Sequence, residues 1–257
     1  MNGVRLALRQ LRYENLAFWR NPPAAFFTFA FPLILLVIFN LIFGNSDIEV
    51  RGGTTHASTF FVAGIAALSV VNGCFTGLAM ALAFLRDEGV LKRVRGTPLP
   101  AWAYLAGRIG FNVLLTVLLV TIVTVFGALF YDVDVPTSTM PAFLLTVAVG
   151  SACFASLAFA INGFIPNAEA APAVVNATVL PLLFISDVFI RSDEAPHWLG
   201  VVSGLFPISH LSQALQVAFN PFETGAGFRF GDLAVLVAWG AFGVLVALRY
   251  FSWEPRR

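Results

Sequence analysis

Long uninterrupted apolar runs alternate along the chain with short polar connections, and the runs are apolar on every side of a helix instead of along one stripe. Crossing roughly 30 Å of hydrocarbon takes about 20 largely apolar helical residues. Six segments reach that length: Ala24–Gly44, Thr59–Leu85, Trp102–Phe130, Pro141–Ile165, Ala171–Ile190 and Asp232–Phe251. Each is uncharged or nearly so except near its ends, where Arg108, Asp187 and Arg249 lie close enough to an interface to snorkel. The expected fold class is an all-α membrane protein, one domain over residues 1–257 with six transmembrane helices. About twenty polar and basic residues precede the first run and no small-residue cleavage site follows it, so it reads as a retained span.

Three parts outside the spans carry patterns of their own. In residues 1–22, Val4, Ala7, Leu8, Leu11 and Phe18 fall along one helical stripe, while Arg5, Arg9, Arg12 and later Arg20 fall along another. This reads as an interfacial amphipathic helix, its arginines among anionic head groups at ~1 kcal/mol each. The alternative is a mere topology anchor. Asn21-Pro22-Pro23 ends that helix and turns the chain into the bilayer. The connection LRDEGVLKRVRGTPLP, Leu85–Pro100, predicts a short helix with Val90, Leu91 and Val94 on one face and Lys92, Arg93 and Arg95 elsewhere, stopped by Gly96-Thr97-Pro98. By composition alone it is a solvated basic loop. Residues 191–231 hold two apolar stretches, HWLGVVSGLF and ISHLSQALQVAF, each too short to span and separated by Pro207, which suits a re-entrant hairpin. Making one of them a seventh span would put Arg256 and Arg257 outside.

Composition and charge then fix an orientation. The 257 residues are 58% hydrophobic and 11% charged, with a mean hydropathy of +0.84, which excludes an ordinary water-soluble globule. Arg5, Arg9, Arg12, Arg20, Arg86, Lys92, Arg93, Arg95, Arg108, Arg249, Arg256 and Arg257 fall on one side of a six-span topology, and only Arg51, Arg191 and Arg229 on the other. The positive-inside rule puts the basic side and both termini in the cytoplasm. Asp47, Glu49, Asp132, Asp134, Asp193, Glu194 and Glu223 in the outer connections are compatible with it.

Candidate chemistry is sparse. Asn72, Asn162 and Asn176 are polar groups within spans, which gain by pairing with another helix or facing a cavity. Asp187 and Arg191, one turn apart, suit an interfacial ion pair. Pro32 bends span one, and Pro172 and Pro181 bend span five, which makes span five, with Asn72, Asn176 and Pro181, the candidate pathway. Cys74 and Cys153 read as small hydrophobes. His56, His197 and His210 lack metal-ligand spacing, and there is no phosphate-binding loop and no HExxH, so no catalytic or metal site is expected. Mid-membrane carboxylates or lysines of the kind ion-coupled transporters use are missing too.

FWRNPPAAFFTFAFPLILLVIFN, LRDEGVLKRVRGTPLPAWAYLAGRI, and PLLFISDVFI followed by PHWLGVVSGLFPISHLSQALQ together resemble the ABC-2 type permeases, membrane subunits of bacterial ABC exporters for drugs, lipids and polysaccharides. The likeness covers nearly the whole chain; Asp187 stands where the family usually has a small residue. The resemblance implies a six-helix subunit of the cell (inner) membrane, in contact with membrane lipid and dimerising as a homodimer or heterodimer. It also implies two cytoplasmic ABC ATPase subunits that bind the ATP and Mg, with no cofactor in this chain and no nucleic-acid partner. It makes the loop at 86–100 a coupling helix, with Arg86, Asp87, Glu88, Gly89, Leu91, Lys92, Arg93, Thr97 and Pro98 at the matching positions. The function expected is export of an amphipathic or lipid-like substrate; an ion-coupled secondary transporter and a polytopic lipid-modifying enzyme are the alternatives.

Overall fold

The computed structural model describes residues 3–44, 46–50, 52–186, 188 and 197–254. Helices α1 (Gly3–Trp19) and α2 (Pro22–Phe43) meet at a corner where the Asn21 side chain accepts the Ala24 N–H at 3.4 Å. Pro22 and Pro23 occupy the first turn of α2, where no intrahelical N–H is needed. A small antiparallel hairpin, β1 (Asp47–Val50) and β2 (Gly53–His56), follows. Next come α3 (Ala57–Val71), a π-helical segment Asn72–Gly77, and α4 (Leu78–Asp87), which form one continuous apolar rod. The remaining helices are α5 (Val90–Arg95), α6 (Ala101–Tyr131), α7 (Met140–Asn162), α8 (Ala171–Ile185), α9 (His197–Ser203), α10 (Pro207–Ala218) and α11 (Phe230–Tyr250).

Among the described residues, five helices are long and apolar enough to cross a membrane: α2, the α3–α4 rod, α6, α7 and α11. The fifth expected span, Ala171–Ile190, contains α8, whose 15 residues rise only about 22 Å. Its expected end at Ile190 and the Asp187–Arg191 pair lie outside the described residues, as do Arg51, Asp193, Glu194, Arg256 and Arg257.

Burial sorts the helices by depth. In their most apolar stretches the α3–α4 rod is 56% buried and α7 61%, against 17% for α2 and 22% for α11, so rod and α7 form the centre and α2 and α11 present most of their apolar surface outward. Small residues bring α7 and α11 close. The Ser156 hydroxyl on α7 donates to the Gly240 carbonyl on α11 at 3.0 Å, and a Cβ at Gly243 would meet that same hydroxyl oxygen.

Two features differ from the sequence expectation. The β-hairpin was not anticipated; it turns through Gly52 at φ +100°, and Gly53 lies so close to the Phe222 ring that a side chain there would clash. Pro207 does not merely separate the two short outer stretches: it begins α10, and α10 is buried through Ile208, Leu211 and Leu215 against α3, α7 and α11.

Candidate functional site

The expected coupling loop is a short helix on a buried foundation. On α5, Leu91 is fully buried, Val90 and Val94 are half-buried, and Lys92, Arg93 and Arg95 are exposed. Gly89 starts α5 at φ +71°, and nothing lies within 4 Å of where a Cβ would stand, so glycine serves the backbone and not the packing there. The Arg93 guanidinium folds back, donating from Nη2 to the Glu88 carbonyl at 3.2 Å and from Nε to the Gly89 carbonyl at 3.4 Å. Thr97 closes the helix by donating to the Val94 carbonyl at 2.7 Å. Glu88, Thr97 and Pro98 are exposed, and Lys92 reaches Glu254 of the C-terminal segment at 4.0 Å across solvent.

Arg86 is placed differently from its neighbours. Its side chain is 0% exposed, so it offers no surface to a partner. It donates from Nη1 to the Asn162 carbonyl at the end of α7 (3.0 Å), from Nη2 to the Pro166 carbonyl (3.2 Å) and from Nε to Asp87 Oδ1 (3.3 Å). Asp87 Oδ2 accepts the Ala168 N–H, and Asn162 Nδ2 donates to the Ala79 carbonyl on α4 at 3.2 Å. Arg86 and Asp87 therefore fasten the end of α4 to the α7–α8 turn. Of Asn72, Asn162 and Asn176, it is Asn162 whose side chain hydrogen-bonds to another spanning helix.

Helix α1 packs along α6. Leu6, Ala7, Gln10, Leu11, Glu14 and Phe18 are its inward positions, whereas Val4 and Leu8 are exposed; the docked stripe is rotated from the purely apolar one because it includes polar Gln10 and Glu14. Contact is close where α6 has glycine: a Cβ at Gly107 would lie 2.8 Å from the Ala7 carbonyl oxygen, and one at Gly110 3.3 Å from Leu11. Arg108 does not snorkel. It is buried, pairing with Glu14 at 3.1 Å and donating to the Tyr104 hydroxyl at 3.1 Å. Reading α1 for its arginines alone missed Glu14; the signal was an acid on the face bearing Ala7 and Leu11 opposite glycines three apart. Arg5, Arg9, Arg12 and Arg20 all face outward.

The pathway candidates fall in two places. Asn72 is half-buried at the start of the π-helical segment, where Cys74 Sγ and Thr116 Oγ1 of α6 lie 3.2 Å apart. Asn176 and Pro181 share the open side of α8, whose Val175, Val179 and Leu183 face inward. At the other end of the molecule stands a charged cluster that the sequence did not announce. Asp232 is bridged by Arg229 Nε (2.6 Å) and His210 Nδ1 (2.7 Å), and His210 Nε2 donates to the Gly204 carbonyl at 2.9 Å. It fastens the α9–α10 turn to the start of α11. Among the described residues, no group of three His, Cys, Asp or Glu side chains is placed to hold a metal ion.

This arrangement combines spanning helices, a short basic helix in a loop and an amphipathic N-terminal helix, with residues 8–220 matching the family described as ABC-2 type transporter. The chain belongs to that family. It is 26% identical over 250 residues, 96% of this chain and 85% of the relative, to the daunorubicin resistance ABC transporter permease protein DrrB1 of Streptomyces coeruleorubidus. It is 21% identical over 236 residues, 91% of this chain and 79% of the relative, to ycf38 of Porphyra purpurea, named as a transport permease. The permease is accordingly a multi-pass membrane subunit of an ABC transporter, and membership of the family implies cooperation with ABC ATPase subunits.

Proposed function

We propose that the permease is the membrane half of an ATP-driven exporter, with six spans and both termini on the cytoplasmic side of a bacterial inner membrane. Residues 171–190, which include α8, make the fifth span, and α9 and α10 form a hairpin that dips into the outer leaflet. Two permease copies associate, as a homodimer or with a second permease, and two ATPase subunits bind beneath them, supplying the ATP and Mg chemistry. The exposed loop residues Glu88, Lys92, Arg93, Thr97 and Pro98 form the surface the ATPases push. Arg5, Arg9, Arg12 and Arg20 hold α1 at the anionic leaflet. The substrate is amphipathic or lipid-like and moves along spans one, two and five, past Asn72, Asn176 and Pro181.

The observation that carries this reading is the construction of the loop: a row of exposed charges on a helix anchored by fully buried Leu91 and Arg86. A merely solvated basic loop needs no such anchor. The outward-facing apolar surface of α2 supports association with lipid or with a second copy, and the drug-resistance name of one relative supports an amphipathic substrate. Substituting Arg93 or Glu88 by alanine should uncouple ATP hydrolysis from export while leaving assembly with the ATPase intact; export at the parental rate in both variants would sink the coupling assignment.

A further inference from the structure

We propose that Arg86 and Asp87 are positioning residues that make α5, α4 and the foot of α8 one moving body, so that a push on the loop reaches span five through the α7–α8 turn. The proposal rests on the coupling reading given above. Only Glu88 and Gly89 separate α5 from the end of α4, and the two helices also pack against each other, so a displacement of α5 reaches that end directly. At that end the Arg86 fork grips two backbone carbonyls, at 3.0 Å on Asn162 and 3.2 Å on Pro166, and Asp87 takes the Ala168 N–H three residues before α8. Asn162 closes the loop by donating to Ala79 at 3.2 Å.

Burying a guanidinium completely is costly, and an apolar side chain of similar volume would fill the space with less penalty. What the arginine adds is direction. One planar donor addresses the Asn162 carbonyl, which the terminating α7 leaves without an intrahelical partner, the other addresses the Pro166 carbonyl in the turn beyond it, and the cation sits at the negative end of the α7 dipole. Helix α8 packs against α4 along its buried side and keeps Asn176, Leu180, Pro181 and Phe184 open on the other. A helix tied at its foot and free on one face is built to follow its anchor.

The test uses the full-length permease assembled with its ATPase in lipid, spin-labelled at Arg95→Cys on α5 and Asn176→Cys on α8, with a second pair at Asn176→Cys and Phe242→Cys on α11. Nucleotide binding should change the α8–α11 distance while leaving the α5–α8 distance constant. In Arg86→Lys, which keeps the charge but loses the fork, and in the milder Asp87→Asn, the α5–α8 distance should become nucleotide-dependent. Substrate-stimulated hydrolysis should fall about tenfold, the factor of losing one hydrogen bond to a charged group, with basal hydrolysis retained. An α5–α8 distance that changes with nucleotide in the parental protein overturns the strut and leaves the coupling reading standing. No nucleotide-dependent change in any distance overturns the coupling reading and the strut with it. Should Arg86→Lys fail to assemble, the parental distances and Asp87→Asn decide.

Discussion

Replacing Glu14 by glutamine removes one partner of an ion pair whose side chains are only 15% and 11% exposed. The pair closes the contact between α1 and α6, and Arg108 would be left buried without a counter-charge, keeping its hydrogen bond to the Tyr104 hydroxyl. Stranding one charge of a buried pair costs about 3–5 kcal/mol. Because the tyrosine contact persists and glutamine can still accept one hydrogen bond, the lower end applies, about 3 kcal/mol. At 1.4 kcal/mol per factor of ten, amide exchange across α1 should accelerate by roughly 100-fold, or reach the unprotected limit if docking is worth less. Hydrogen exchange with mass spectrometry on the lipid-embedded protein reads this directly. Peptides from α7 should be unaffected, and Arg12→Gln, on the exposed side of α1, should leave exchange near the parental rate. Exchange in Glu14→Gln within threefold of parental would refute the reasoning, as would an equal acceleration throughout the molecule.

Other outcomes follow from the same geometry. Gly89→Ala should lower stability by about 1–2 kcal/mol from backbone strain alone, with Gly89→Asn milder, as thermal unfolding in detergent would measure. Cys74 and Cys153 are both buried and free, so a maleimide should label neither until the protein is denatured; rapid labelling of the folded protein would contradict the packing. Gly243→Leu should disrupt the α7–α11 contact at Ser156 and lower the yield of folded protein in size-exclusion chromatography, while Gly231→Ala, with open space around it, should not. Asp232→Asn should speed exchange in α9 and the first turn of α10 by loosening His210 and Arg229, and leave α1 unchanged.

Much of the fold was legible because a bilayer imposes length and composition on any helix that crosses it. The five long helices begin and end within a few residues of the expected segments. The α1–α2 corner was marked by Asn21-Pro22-Pro23, and the end of α5 by Gly96-Thr97-Pro98. What escaped was decided by partners distant in sequence. Arg86 reads as one more basic loop residue until Asn162 and Pro166, 76 and 80 positions away, are brought to its guanidinium. Arg108 reads as an interfacial cation because Glu14 lies 94 residues earlier. Asp232 reads as the edge of a span, and its role emerges only with His210 and Arg229 around it. The π-helical register of Asn72–Gly77 left no trace in a hydropathy pattern, since a segment that short is over before a change of helical period can shift the apolar positions. Polar side chains within an apolar chain are set by tertiary geometry, and a linear reading counts them without pairing them.

Site-specific photocrosslinking of the permease co-expressed with its ABC ATPase tests the central claim most directly. A photoreactive residue at Arg93 or Thr97, on the exposed side of the loop, should crosslink to the ATPase, and one at Val135, exposed beyond the far end of α6, should not. Crosslinks from Val135 with none from Arg93 or Thr97 would contradict the account, placing the motor on the opposite face of the membrane from the basic loop.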